Sequence, residues 1–287
     1  MRGVEKSSSR TTFLDALLGP MSKTTKTSLV LAATTAVFVL VGALTFWPSA
    51  AAPRTAPAKH VSALFIGNSY SSANDLPRVV SQIADASGHR LDYDLAAVGG
   101  YRLKQHAADP RTIAKISAKP WDFVVLQEQS QVPAISSSAE KEKFLTPFAK
   151  QLQSMIRQAN PAARTVLFET WGKENGDRDF CPRIPEVCDY PGDQARITAT
   201  YRQLAVDLPA EIAPVGEAWA EVRQTHPEIE LYQSDGSHPS MLGTYLAACV
   251  FYAVFFGGRA TDVGSLALDP AQAKIIREIV DRALAKS

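Results

Sequence analysis

The sequence predicts an α/β protein, a three-layer α/β/α sandwich around a mainly parallel five-stranded sheet over residues 61–287. Two observations carry this. Runs of consecutive apolar residues alternate along the chain with stretches in which apolar residues recur every three or four positions. The first pattern suits strands buried on both faces and the second suits amphipathic helices. Strands that alternate with helices join in parallel, because each crossover helix returns the chain to the same end of the sheet. The composition agrees: 46% hydrophobic and 21% charged residues in 287 describe a globular chain with apolar stretches, neither disordered nor fibrous.

The elements are expected in the following order. VSALFIG (61–67) reads as a buried strand. DLPRVVSQIADASG (75–88) reads as a helix, with Asn74 or Asp75 near its cap, Pro77 in its first turn and Gly88 at its end. LDYDLAAV (91–98) is a second strand, followed by Gly99-Gly100 and a helical stretch near 103–117. WDFVVLQ (121–127) is a third strand, and the residues from 139 to 160 form a long amphipathic helix. TVLFETW (165–171) is a fourth strand, a long irregular loop covers 172–192, and GDQARITATYRQLAVDL (192–208) is a helix. EIAPVG (211–216) is a fifth strand, and two further helices fit 239–256 and 269–285.

Residues 1–60 differ from the rest. Ser28 to Trp47 contains no charge, Lys23 and Lys26 lie just before it, and a Pro/Ala-rich stretch follows. Roughly 20 apolar residues cross a bilayer core as a helix, and the basic flank favours a cytoplasmic N-terminus. The expected organisation is a cytoplasmic segment (1–27), a transmembrane anchor or signal segment (28–47), a semi-extended linker (48–60) and a folded α/β domain (61–287). A second reading starts the chain at Met21 and cleaves a signal near the small residues Ser49 to Ala52. Both place residues 61–287 outside the cytoplasm, membrane-anchored or secreted. Disulfides persist there, and Cys181 and Cys188 lie close enough in a Pro-rich loop for a local bridge, or for two free thiols. Cys249 reads as a small buried hydrophobe.

The charge balance excludes one class of partner. Thirty basic and 29 acidic side chains leave +1 overall, and residues 1–60 hold seven of the basic and two of the acidic ones. The remainder is net acidic, so no nucleic-acid partner is expected. No metal and no cofactor are expected either. Three cysteines exclude a four-thiolate zinc site, no His/Cys cluster is present, and the residues after Gly67 form no Gly-rich phosphate cradle.

In parallel α/β folds the ligand site lies beyond the carboxyl ends of the strands. Four short blocks fall there or late in the chain: Gly67-Asn68-Ser69-Tyr70-Ser71, Gly99-Gly100, Gln127-Glu128-Gln129-Ser130, and Asp235-Gly236-Ser237-His238. A serine hydroxyl is a weak nucleophile and needs an adjacent base. Among the five histidines only His238 has an acid three residues earlier. Asp235 can accept the Nδ1 hydrogen of His238 and leave Nε2 to act on Ser69.

Taken together, the serine after strand one, the glycine after strand two, the amide after strand three and the late Asp-x-x-His resemble the SGNH (GDSL-type) hydrolase superfamily, in a divergent bacterial branch. The resemblance covers about residues 61–260 and implies the flavodoxin-like sandwich and a serine esterase with Ser69, His238 and Asp235 as its triad. The backbone amides of Ser69 and Gly100 and the side chain of Gln127 are then the expected oxyanion donors, each worth roughly 3–4 kcal/mol. The sequence departs from the family at two places. Asn68 stands where an Asp is usual and is expected to hydrogen-bond within the nucleophile loop. The usual Gly-x-Asn-Asp is absent, so Gln127 or Gln129 must supply its amide. Both fall on one side of an extended strand, and the Gln-Gly-Glu block of some carbohydrate esterases in the superfamily favours Gln127.

The activity implied is hydrolysis of small acyl esters, acetyl above all, on a small molecule or carbohydrate. The alternatives are a carbohydrate O-acyltransferase, a lipid esterase or thioesterase, and an inactive binding domain that keeps the fold. His106 reads as a residue of a surface helix or of the pocket border, and Trp171 as core or as a sugar-binding wall.

Overall fold

The computed structural model describes residues 57–286. The expected cytoplasmic segment and the anchor or signal segment fall on residues 1–56, outside the described residues, as does most of the linker. The sheet begins at His60, the last residue of the expected linker.

Five strands form one wholly parallel sheet in the order β2-β1-β3-β4-β5: β1 His60–Gly67, β2 Arg90–Ala97, β3 Phe123–Leu126, β4 Arg164–Phe168 and β5 Glu211–Ala213. The order reverses beside β1, which puts the topological switch point between β1 and β3. The register makes the strand ends level, with Gly67 opposite Ala97, Ile66 opposite Leu126 and Leu126 opposite Leu167. The residues after each strand therefore emerge along a single edge.

Alternation along each strand divides the core into two layers. Phe65, Phe123, Val125, Val166 and Phe168 face one side and pack with α2 (Leu76–Ala86), α9 (Val215–Thr225), α10 (Met241–Phe256) and α11 (Pro270–Leu284). Leu64, Ile66, Val124, Leu126 and Leu167 face the other. They pack with α3 (Leu103–His106), α4 (Pro110–Ser117), α7 (Thr146–Ala159) and α8 (Tyr190–Asp207). Three short helices complete the set: α1 (Ser69–Ser72), α5 (Val132–Ile135) and α6 (Ser138–Phe144).

α10 is apolar on every side because it lies under the sheet and beneath neighbouring helices. Its Phe251 ring meets Phe65 and Phe168 edge-on at 5.2 and 4.9 Å, the preferred geometry for aromatic pairs. Cys249 is fully buried in the same helix.

Several expected elements are divided or displaced. The stretch 103–117 is two helices, because Asp109 caps a new helix at Pro110 through the Arg111 amide. The long helix expected at 139–160 is also two, divided at Leu145, with Pro147 in the first turn of the second. The segment after β5 forms α9, a helix that the sequence reading leaves out.

Among the described residues no helix is long and apolar enough to cross a membrane. Cys181 and Cys188 are joined by a disulfide, which closes the long loop after β4 on itself.

Candidate active site

The nucleophile loop follows from the end of β1. Asn68 caps the one-turn helix α1 by accepting the Tyr70 amide on its Oδ1 at 3.1 Å, while its carbonyl accepts the Ser71 and Ser72 amides. The first amide of a helix has no partner inside it. The Ser69 N–H accordingly has no acceptor among the described residues, and its hydroxyl sits at the head of a turn at the carboxyl edge of the sheet.

The Asp-x-x-His loop meets it from the far end of the chain. Ser69 Oγ lies 2.9 Å from His238 Nε2, and His238 Nδ1 lies 2.5 Å from Asp235 Oδ2. A carboxylate can only accept, so Nδ1 carries the hydrogen and Nε2 is left to receive the Ser69 proton. Burial draws the Asp235 carboxyl upward, but the hydrogen bonds from the His238 ring and from the His238 and Ser237 amides outweigh it. They hold the group below the usual carboxylate range, so Asp235 is an anion wherever His238 is called on as a base.

Three side chains hold this loop against the nucleophile. The Tyr70 hydroxyl lies 2.7 Å from Ser237 Oγ, and Trp171 Nε1 donates to the Ser237 carbonyl at 2.9 Å. Tyr70, Trp171 and Trp219 are stacked at 4.7 and 4.0 Å between ring centres. Asn74 Nδ2 donates to the Pro239 carbonyl and to Thr244 Oγ1. Asn74 holds φ at 51°, a left-handed conformation that asparagine tolerates better than most residues. Trp171 is buried, so it serves as core and as an anchor of the base loop, and it is not a sugar-binding wall.

Gly100 follows β2 in a turn closed by the Tyr101 amide on the Val98 carbonyl. Its φ of 72° is the left-handed region that favours glycine, and its own N–H, like that of Ser69, has no acceptor among the described residues. Asn68 Nδ2 donates to the Tyr101 carbonyl at 3.0 Å and so clamps the Gly100 turn to the nucleophile loop.

Gln127 requires a correction. It is fully buried. Its Oε1 accepts the Asn68 amide and the Ser71 hydroxyl, both at 2.9 Å. Its Nε2 donates to Asn68 Oδ1 at 3.0 Å and to the Glu128 carbonyl at 2.5 Å. Both amide hydrogens are spent, so none remains for an oxyanion. Gln127 instead locks the nucleophile loop to the end of β3. Gly67 makes room for it, since a Cβ there would lie 2.4 Å from Gln127 Oε1. Gln129 is turned along its own chain: Oε1 accepts the Gln131 and Val132 amides and so caps α5, and Nε2 donates to Gln131 Oε1 at 3.3 Å.

His106 is neither on the surface nor at a pocket border. It is fully buried, with Nε2 2.7 Å from the Gly67 carbonyl and Nδ1 2.9 Å from Thr112 Oγ1. A carbonyl only accepts, so Nε2 carries the hydrogen and Thr112 donates to Nδ1. Burial lowers its pKa and keeps the ring neutral, as this pair of bonds requires.

Two buried carboxyls follow β3 and β4. Glu128 accepts the Gln129 amide on Oε1 at 2.6 Å, and the Arg102 guanidinium stands 4.0 Å away. Glu169 accepts Thr198 Oγ1 at 2.7 Å. The second carboxyl oxygen of each has no partner. Burial pushes Glu128 up to about 7 and Glu169 up to about 8. The folded state thus holds protons that the unfolded chain releases near pH 4.5, and stability falls as pH rises between those values. Glu169→Gln, which mimics the protonated form, should therefore gain Tm relative to wild type between pH 5 and pH 8. Thermal unfolding at the two pH values tests this; a gap that stays constant contradicts it.

The structure comparison places this architecture. The chain has the fold of the SGNH hydrolases. It matches a DUF4886 family protein from Bacteroides uniformis ATCC 8492 with a TM-score of 0.67 at 17% identity, over 79% of this chain and 95% of that one. It also matches a candidate SGNH hydrolase from Slackia heliotrinireducens with a TM-score of 0.54 at 27% identity, over 67% of this chain and 97% of that one. No family model and no curated protein matches the sequence.

Proposed function

We propose that residues 61–287 form a serine esterase that hydrolyses small acyl esters, acetyl foremost, carried on carbohydrate. The observation that carries this is the hydrogen-bonded series Ser69–His238–Asp235, at a loop that Asn68 ties to the Gly100 turn; the Ser69 and Gly100 amides have no acceptor among the described residues. His238 Nε2 takes the Ser69 proton as Oγ attacks the ester carbonyl. The tetrahedral oxyanion falls to the free amides, Asp235 stabilises the imidazolium, and His238 then protonates the leaving alcohol. Water repeats the sequence on the acyl-enzyme. Ser69 and His238 are part-exposed and Gly100 is exposed, so the acyl group is received at an open edge, which suits a short acyl chain.

The full chain should hydrolyse phenyl acetate faster than phenyl octanoate and should release acetate from acetylated saccharides. A serine-directed phosphonate should label Ser69 in wild type and label nothing in Ser69→Ala. Labelling elsewhere, or preference for the long chain, overturns the reading.

The site is proposed to act outside the cytoplasm, held by residues 28–47 as an anchor or released after signal cleavage. The uncharged segment with its basic flank supports this, as does the Cys181–Cys188 bridge, a feature of oxidising compartments. In fractionated cells the protein should pellet with membranes and be cut by protease added outside, or appear as a soluble species beginning near Ala51 to Pro53. Recovery from the cytoplasm with free thiols contradicts both forms.

A further inference from the structure

Gln127 and Glu128 are neighbours after β3, and each reaches a different loop. Gln127 holds the nucleophile loop. Glu128 faces the Gly100 turn. It is fully buried, its Oε1 accepts the Gln129 amide at 2.6 Å, and the same oxygen stands 4.0 Å from Arg102 Nε. Arg102 lies two residues beyond Gly100 and opens α3, where its carbonyl accepts the Gln105 and His106 amides at 3.0 and 3.2 Å. Its own amide donates to Gln105 Oε1 at 3.0 Å. The Gly100 turn is thus held from two sides. Asn68 Nδ2 donates to the Tyr101 carbonyl from the nucleophile loop, and Glu128 faces Arg102 from the end of β3.

The contact is unusual in what it leaves open. Glu128 Oε2 and Arg102 Nε are both buried without a hydrogen bond, and Glu128 is the one carboxyl paired with Arg102 among the described residues. The other groups around the carboxyl are the Leu103 amide at the head of α3 and, from α8, the Tyr201 hydroxyl, which accepts the Glu128 amide at 3.2 Å. Tyr201 in turn feels the charge of Glu169, which follows β4. Arg102 is therefore the cation that answers the Glu128 carboxylate, and a buried charge deprived of its partner is costly to keep. Burial pushes the Glu128 pKa up to about 7, against the Gln129 amide, the Arg102 guanidinium and the Leu103 amide, which favour the anion. The folded pKa lies above the usual 4.5 of the free group, so ionising Glu128 at pH 8 lowers stability. Groups kept in a state that costs stability are found where a function needs them.

We propose that Glu128, acting through Arg102, is a positioning residue for the oxyanion donor, and that its carboxylate must be ionised for the turn to aim the Gly100 N–H at the forming tetrahedral oxyanion. The inference rests on the esterase reading for the reaction it serves. A donor stabilises an oxyanion only when its hydrogen already points to where the charge develops. A turn released from Glu128 keeps its fold, through the Tyr101 amide on the Val98 carbonyl and the Asn68 clamp, and loses that aim. Substrate still binds, because the donor matters mainly once the oxyanion forms.

Glu128→Gln in the full chain separates positioning from a merely structural role. The amide has the size of the carboxyl and still offers an oxygen to the Gln129 amide, and the part-exposed Arg102 side chain can turn to solvent. At pH 8 the variant should match or exceed wild type in Tm and yet lose about tenfold in kcat on phenyl acetate, with KM little changed. The ratio of the two kcat values should shrink to about twofold at pH 6, where wild type carries the proton that the amide imitates. Arg102→Gln should lose kcat in the same way, and Arg102→Lys should recover part of the loss. Equal kcat in wild type and Glu128→Gln, a ratio that does not change with pH, or a loss of kcat matched by a loss of Tm overturns the proposal. If wild type hydrolyses no ester, the esterase reading fails by itself, and the ¹⁵N shift of the Gly100 amide then judges Glu128 alone. Between pH 6 and pH 8 it should move in wild type with an amplitude that Glu128→Gln lacks. The same titration in both proteins shows that Glu128 does not control the turn.

Discussion

Ser69→Ala and His238→Ala should each lower kcat by roughly 10⁴-fold or more, and the double variant should lose little beyond the worse of the two. The reason is the shared proton. Ser69 Oγ is nucleophilic only while Nε2 at 2.9 Å accepts its hydrogen, so removing either partner removes the same event. KM should move little, because neither group is needed to hold the ground-state ester. Asp235→Asn should cost less than either, yet still orders of magnitude. An amide in place of the carboxylate no longer fixes the Nδ1–H tautomer, although its oxygen can still accept the Ser237 and His238 amides. Asp235 is held below the usual carboxylate range, so it stays ionised across the range in which activity is measured. Steady-state kinetics on phenyl acetate from pH 5 to 9 measure all of this. Additive losses in the double variant, or a flat profile, would show that the two residues do not act as one unit.

Gln127→Ala should destabilise the protein as well as slow it. The substitution strands the Asn68 amide and the Ser71 hydroxyl, both buried donors on Gln127 Oε1, at about 1–3 kcal/mol each. A combined loss of that size should lower Tm by about 5 °C or more, at the ~2–4 °C per kcal/mol that applies to a domain of this length. kcat should fall with it, because Asn68 is the cap of α1 and also clamps the Gly100 turn. Gln127→Glu keeps the acceptor but sets a carboxylate oxygen against Asn68 Oδ1 and the Glu128 carbonyl, where Nε2 donates in wild type. It should be at least as damaging. Gln129→Ala loses only a cap on the short helix α5 and should cost about 1 kcal/mol. The discriminating measurement is Tm beside kcat. A side chain that donated to the oxyanion would reduce kcat and leave Tm in place, and that outcome would restore Gln127 to the role its position after β3 suggests.

The sequence by itself determined the parallel α/β sandwich, since unbroken apolar strands such as VSALFIG can be buried only between two layers of helices. It also determined which residues come together at the strand ends. With strands in parallel and crossovers between them, Ser69, Gly100 and Gln127 are placed along one edge by chain order alone. Asp235 and His238 are marked by the only acid–histidine spacing of its kind in the chain.

The residues whose role depends on direction were decided elsewhere. Whether Gln127 faces a substrate or turns inward depends on the space beside Gly67 and on the partners offered by Asn68, Ser71 and Glu128, the first of which lies 59 residues away in sequence. The same holds for His106 under Gly67, for Trp171 in its aromatic stack, and for Asn74, whose partners Pro239 and Thr244 come from the far end of the chain. α9 is a different case: Val215, Ala218, Trp219 and Val222 recur at helical spacing and are buried on one face, a legible signal hidden behind the strand that precedes it. Periodicity records which face of an element is apolar. Hydrogen bonds between distant loops are made only when the fold brings their partners together, and on this protein those bonds separate the residues that hold the site from the residues proposed to carry out its chemistry.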